Sequence, residues 1–287
     1  MKQGTVALIG RPNVGKSTLV NTIVGHKVSI TSPKPQTTRF PIQALYIEER
    51  GEIVFVDLPG IFKKAIDPLS KKINRQTLTE LEKDFDVFLY VVDPTRKREF
   101  EEGKVLGIVR NITKPKILVI NKIDEEQKYL PQYEFLKDEF DSVVSISALK
   151  NKHVKTLIDM LFERLPEQKK GTKKTIELAD NTYGTDSKTF IAELIREKVY
   201  LQTRKNLPYT TTVVVEEIEE RENGILYIKA QIVTTDLVYK KMLIGMGAWK
   251  IKEIGSMTRR EIEMATNKHV FLDLEVVVDK HWIEALS

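Results

Sequence analysis

The chain has 287 residues, 41% hydrophobic and 30% charged, with no cysteine and a formal net charge of +5. This composition fits a soluble globular protein of one large or two smaller domains, and it excludes a disulfide framework and thiol or Cys-based metal chemistry. No run of about 18 apolar residues and no secretory leader is found. Strand-like sequence begins almost at Met1, so a cytoplasmic location is the default expectation.

Residues 1–165 alternate strand-like and helix-like segments. Strands are predicted at 4–10, 41–47, 52–57, 87–93, 116–121 and 142–146, and helices at 17–24, 69–83, 98–111, 131–140 and 151–164. Most of the strands are near-continuous apolar runs, as in Val87-Phe88-Leu89-Tyr90-Val91-Val92, which suits burial on both faces. The alternation predicts an α/β fold, a doubly wound and mostly parallel sheet whose ligands lie beyond the carboxyl ends of the strands.

Between the first strand and first helix runs Gly10-Arg11-Pro12-Asn13-Val14-Gly15-Lys16-Ser17, with Thr18 continuing the helix. A strand, GxxxxGK(S/T) and a helix together define a phosphate-binding loop. The glycines let several backbone N–H groups face one anion, and the helix N-terminus adds unpaired donors. Lys16 can reach the β- and γ-phosphates, and the Ser17 hydroxyl can ligate Mg²⁺. The Pro-rich polar stretch 29–39 reads as a loop. In it Thr38 can complete the Mg²⁺ shell when a γ-phosphate is present, ordering a segment that hydrolysis releases.

Asp57-Leu58-Pro59-Gly60 ends the third strand. Asp57 can hold Mg²⁺ through a water, and the Gly60 N–H can face the γ-phosphate. Asn121-Lys122-Ile123-Asp124 ends the fifth. The Asp124 carboxylate can accept both ring N–H donors of guanine, a pair that adenine lacks. The Lys122 stem can cover the base and Asn121 can tie loops together. After the sixth strand, Ser147-Ala148 offers the Ala148 N–H to the guanine oxygen. The set predicts GTP as the nucleotide.

These motifs in this order resemble the translation-factor-related GTPases, and Gly10–Ser17 with Lys34-Pro35-Gln36-Thr37-Thr38-Arg39 resembles the Era group in particular. The resemblance implies a P-loop NTPase of the Ras-like GTPase type. Ile61 stands where Ras-like enzymes carry a water-orienting Gln, which implies slow intrinsic turnover. It also makes Asn13 the candidate ligand for a K⁺ ion that replaces an arginine finger. Leu58 departs from the Thr usual in the family, with little harm expected.

Residues 167–186, including Lys169, Lys170, Lys173 and Lys174, read as a linker between a nucleotide domain at 1–166 and a second domain at 187–287. The second domain reads as a helix at 187–204, strands at 210–219 and 224–234 joined through Asn223-Gly224, helices near 237–244 and 248–265, and a strand at 270–278. That α-β-β-α-α-β order, with a Gly-rich loop between two helices, resembles a type II KH RNA-binding domain, a small α+β fold. Such loops clamp the nucleic-acid backbone beside an apolar surface for single-stranded bases. The family clamp reads Gly-Lys-Gly-Gly, whereas this chain has Gly245-Met246-Gly247-Ala248, losing a cation and gaining a Cβ. Trp249 stands where the family has a small residue and reads as core packing, with base stacking as the alternative. Lys240, Lys241, Lys250, Lys252, Arg259 and Arg260 against Glu253 still leave +5 across residues 240–260.

The resemblance therefore covers nearly the whole chain. It implies a monomeric GTPase acting in assembly of the small (30S) ribosomal subunit, contacting the 3′ end of 16S rRNA, with a peripheral site at the inner face of the cell membrane. GTP is expected to order 29–39 and 57–68 and so to raise RNA affinity. An alternative reading makes residues 185–287 a protein- or membrane-docking module. A GTPase of tRNA modification would carry a C-terminal Cys, which is absent here.

Overall fold

A computed structural model of the chain describes residues 1–62, 67–167 and 187–285. The chain divides into two compact units, Met1–Gly184 and Thr185–Ser287. Of the stretch 167–186 read from sequence as a linker, residues 168–186 lie outside the described residues, as do residues 63–66.

The first unit runs β1 (Lys2–Ile9), α1 (Lys16–Val24), β2 (Ile42–Glu48), β3 (Gly51–Asp57), α2 (Pro68–Leu81), β4 (Val87–Val92), α3 (Phe100–Arg110), β5 (Lys116–Ile120), β6 (Ser142–Ser145) and α4 (Val154–Arg164). Its six-stranded sheet has the order β2-β3-β1-β4-β5-β6. Only β2 is antiparallel, pairing with β3 from Ile42↔Asp57 to Glu48↔Gly51. Alternation along β1 builds both layers: Val6 and Leu8 face a core with α1 and α4, and Ala7 and Ile9 face a core with α3. The polar motifs follow β1, β3, β5 and β6, so this topology gathers them at one end of the sheet.

One predicted helix is of a different kind. Residues Leu130–Glu139 form a 3₁₀ segment, not an α-helix. Leu130, Tyr133 and Leu136 recur every three residues, the 3₁₀ period, and all three pack on the α3 core.

The second unit runs α5 (Ser187–Gln202), β7 (Thr211–Glu220), β8 (Leu226–Thr234), α6 (Leu237–Ile244), α7 (Trp249–Thr266), β9 (Val270–Val278) and a short α8 (Trp282–Ala285). The sheet order is β7-β8-β9, with β7 and β8 antiparallel and β8 and β9 parallel. In the β7–β8 loop Gly224 N donates to Arg221 O at 2.8 Å, and Gly224 has φ 75°. This is a three-residue turn closed by a left-handed glycine. Ile195, Val199, Ile228, Ile232, Ile254 and Ile262 are among the side chains that join α5 and α7 to one face of the sheet. Among the described residues no helix is long and apolar enough to cross a membrane.

Candidate functional site

In the first unit a pocket of about 600 Å³ is lined by Pro12, Asn13, Gly15, Lys16, Ser17 and Thr18 of the phosphate loop and its helix, with 29–39 residues, Gly60, Arg96, Lys122 and Leu149 closing it. Gly15 has φ 98°, and a Cβ there would stand 2.3 Å from Asn121 Nδ2. Glycine is thus required twice, for conformation and for space. Lys16 Nζ donates to Gly10 O at 3.2 Å and Arg11 O at 3.3 Å. Burial lowers its pKa to about 8, against the opposing pull of Asp57 and Glu102.

Ser17, Thr38 and Asp57 converge. Ser17 Oγ donates to Asp57 Oδ2 at 2.6 Å and lies 3.1 Å from Thr38 Oγ1. Asp57 is fully buried, which raises its carboxyl pKa although Lys16 and Ser17 oppose the shift. Its Oδ1 is shielded from solvent and has no partner at hydrogen-bond distance, although the Ser29 hydroxyl lies near enough to the carboxylate to oppose the rise in pKa. A buried, half-used carboxylate against the Ser17 hydroxyl, with the Thr38 hydroxyl on that hydroxyl's other side, is a donor set that fits a hard divalent cation.

At the base end, Asn121 Nδ2 donates to Val14 O at 2.8 Å, while its Oδ1 accepts from Lys122 N at 2.8 Å and Ala148 N at 3.0 Å. One side chain therefore joins three loops, as expected. The Ala148 N–H, read from sequence as a donor to the guanine oxygen, is instead engaged by Asn121. Ser147 Oγ accepts from Lys150 N at 3.0 Å and shapes the same loop. Asp124 Oδ1 is shielded from solvent with no hydrogen-bond partner.

Several residues of the motifs contribute backbone alone. Val14 and Ala148 lie in the α1/α4 core, and Leu58 and Ile61 in the α3 core. Leu58 is accommodated there without an exposed edge, and Ile61, 1% exposed, offers water no polar group. Arg11 also turns away from the pocket. Its Nε lies 2.9 Å from Glu102 Oε2 of α3, and Glu102 accepts from Tyr90 OH at 2.6 Å. Asn13, at φ 63°, donates through Nδ2 to Pro33 O at 2.7 Å, joining the phosphate loop to the 29–39 loop.

Three residues that the sequence reading does not single out complete the site. Asp93, fully buried after β4, pairs with Lys122 Nζ at 2.7 Å and Arg96 Nε at 2.9 Å. Burial pushes its carboxyl up, but hydrogen bonds from Lys122 and Thr95 and the nearby cations outweigh that and hold it below the usual range. Arg96 also donates to Pro12 O at 3.0 Å. Asn21 fastens the start of the 29–39 loop, accepting from Val28 N and Ser29 N at 2.9 Å each. Asp93 had a signal, a carboxylate at the carboxyl end of an all-apolar strand. Asn21, inside a helix, had none.

In the second unit, Gly245 (φ 74°), Gly247 (φ 59°) and Ala248 (φ 61°) all have positive φ, and Met246–Ala248 make a tight, non-helical turn between α6 and α7. For Ala248 that conformation costs about 1 kcal/mol. Met246 is 90% exposed. Trp249 is 53% exposed, which overturns its reading as a core residue. Beyond this turn, a groove of about 310 Å³ runs between α7 and β9, with Lys252 and Arg259 on one wall and Phe271, Leu272 and Leu274 on the other. Gly255 gives it depth. Among the described residues no ion pair engages Lys240, Lys241, Lys250, Lys252 or Arg260, while Arg259 lies 4.0 Å from Glu263.

Fold and site together define a P-loop GTPase with a KH domain joined behind it. Residues 5–122 match the family of 50S ribosome-binding GTPases, and residues 206–283 match the KH domain. The chain is 38% identical to the GTPase Era of Halothermothrix orenii, over 99% of this chain and 95% of that one, and 38% identical to that of Thermotoga maritima over 99% and 94%. Its structure is similar to that of an Aquifex aeolicus Era variant bound to GDP and AlF4⁻, with a TM-score of 0.89 and 33% identity over 100% and 97% of the two chains. An Era bound to MgGDPNP and nucleotides 1506–1542 of 16S ribosomal RNA gives a TM-score of 0.88 at 33% identity over 100% and 96%. The chain belongs to the Era family of GTPases.

Proposed function

We propose that this chain binds GTP in the phosphate-loop pocket, hydrolyses it to GDP and phosphate, and binds 16S rRNA through its KH unit during assembly of the small ribosomal subunit. One observation carries the nucleotide reading: Asp57 and Asp124 each keep a solvent-shielded carboxylate oxygen without a hydrogen-bond partner. The first suits a cation at the phosphates and the second the N–H pair of guanine. Leaving such groups unpaired is costly unless a ligand completes them.

Lys16 supplies positive charge to the phosphates, and the backbone of Gly10–Ser17, Thr18 and Gly60 supplies N–H donors. Mg²⁺ would be held by Ser17, Thr38 and Asp57 and would neutralise charge on the phosphate oxygens. Asn121 fixes the loops, and Lys122, pinned to Asp93, flanks the base, with Ile123 holding the register to Asp124. Ile61 has no group to orient a water, so intrinsic turnover is slow. Asn13, against Pro33 O, is the side chain through which K⁺ would act.

RNA phosphates would meet Lys240, Lys241, Lys250, Lys252, Arg259 and Arg260, and the backbone of Gly245, Met246, Gly247 and Ala248 would lie along the strand. The family relationship supports the 3′ end of 16S rRNA, in the 30S subunit, as the ligand, and a cytoplasmic setting. Filter binding of that RNA in a salt series, with GDP and with a GTP analogue, tests the reading. The expected results are a steep fall of affinity with salt and tighter binding with the analogue. Salt-independent binding, or none, would remove the RNA function, and identical binding with both nucleotides would remove the coupling.

A second reading, peripheral docking at a membrane, draws on exposed Leu237 and Val238, 67% and 66% accessible beside Lys240 and Lys241. Sedimentation with anionic vesicles tests it.

A further inference from the structure

Trp249 opens α7 directly after the Gly245–Ala248 turn, and just over half of its surface faces solvent. The chain's other tryptophan, Trp282, is buried. One edge of the Trp249 indole is seated, since a Cβ on Gly245 would stand only 3.1 Å from its Nε1. Gly245 thus clears a shelf for the ring. Lys250 Nζ lies over the ring, 5.6 Å from its centroid, a cation–π contact that a stacking base on that face would displace. Along α7, residues 249, 252, 256 and 259 recur at helical spacing, and Lys252, Ser256 and Arg259 line the groove against β9. The indole therefore stands on the same face of α7 as the side chains that line this basic groove.

We propose that Trp249 is a stacking platform for one unpaired base of a single-stranded RNA, with Lys250 and Lys252 meeting the flanking phosphates. The proposal rests on the RNA-binding reading above. An exposed, seated ring face offers a flat π surface, and the ammonium groups around it select a polyanion. A single strand of nucleic acid brings a base face and a phosphate in every repeat, so it satisfies both together. A lipid interface would also accept an indole beside lysines, but a planar surface does not enter the groove that lies between α7 and β9 on the same helix face. The turn carries Met246 between its glycines, so it has no cation there. Stacking at Trp249 supplies affinity at that place by a route that salt does not screen.

The test uses the full chain with a GTP analogue and a single-stranded RNA of about a dozen nucleotides. Both tryptophans emit, but quenching by contact with a base reports Trp249, because Trp282 is buried out of reach of the ligand. Single-stranded RNA should quench it along the binding curve, and a duplex of the same sequence should not. Trp249→Ala should lose affinity about tenfold with an unchanged salt slope, and Trp249→Phe should recover most of it. Lys250→Ala should flatten the salt slope instead. If RNA binds with unchanged fluorescence and Trp249→Ala binds like the parent, the platform is refuted while RNA binding stands. If no RNA binds at all, the RNA reading fails and the platform falls with it. Quenching by phosphatidylglycerol vesicles but not by RNA would make the occupant a lipid surface and overturn the proposal.

Discussion

In the first unit the groups around the phosphate loop are tied to other elements of the same sheet. Asn121 joins three loops, Asp93 holds Lys122 and Arg96, and Asn13 reaches Pro33 O. In the second unit the basic side chains beside the Gly245–Ala248 turn extend largely free of ion pairs, and the turn itself is exposed. The first arrangement is preorganised: donors and charges are fixed before a ligand arrives, so losing one leaves others buried and unpaired. Apart from stacking at Trp249, the second gains affinity by summing weak, screened contacts, so removing a single cation should cost little there. Departures from the family pattern also differ in consequence. Leu58 vanishes into a core, whereas Met246, Ala248 and Trp249 remain at the surface, where they can alter what the turn binds.

This contrast can be broken by mutation. Lys16→Ala should produce the largest effect, a fall in GTP turnover on the order of 100-fold or more, measured as phosphate release at saturating nucleotide. A variant within a few-fold of the parent would mean that the loop does not act through Lys16. Asp93→Asn should destabilise the first unit by about 2 kcal/mol at pH 7, because Lys122 and Arg96 lose their shared carboxylate while staying partly hydrated. The sign with pH follows from a folded-state pKa held below the usual carboxylate value. The stabilisation is present above about pH 4 and is lost as pH falls through the lower, folded value. Urea denaturation of parent and variant should therefore converge in acid, and a constant gap would contradict the pairing.

Smaller effects sharpen the comparison. K⁺ should stimulate turnover over Na⁺, and Asn13→Ala should abolish the difference; equal rates of the parent in the two salts would exclude the ion. In the exposed turn, Ala248→Gly should stabilise the second unit by about 1 kcal/mol, seen as a raised unfolding midpoint, because φ 61° suits glycine. It should also restore close backbone approach and tighten RNA binding by a few-fold. A destabilised variant would mean that the Ala248 methyl is held by contacts stronger than its backbone strain.

Sequence reading succeeded where placement depends on residue order along one segment. The phosphate loop, Asp57 and Asn121–Asp124 lie at the ends of apolar strands, and βα alternation alone brings them to one edge. The α-β-β-α-α-β order and the hairpin glycine Gly224 were likewise legible. It failed where distant segments decide the outcome. Whether the Ala148 N–H is open or engaged depends on Asn121, 27 positions away. Arg11 turns from the pocket because Glu102 lies buried beneath it. The 3₁₀ segment Leu130–Glu139 hides in an apolar period of three that a helical template absorbs, and the exposure of Trp249 depends on the shelf that Gly245 provides.

Asp124 is proposed to select guanine in the pocket that Asp57 and Lys16 equip for phosphates. Competition calorimetry of GTP against ATP, in parent and Asp124→Asn, tests it most directly. A preference of at least about 100-fold for GTP is expected in the parent, lost when the carboxylate becomes an amide. Equal binding of ATP, or a preference for GTP that survives the substitution, would contradict it.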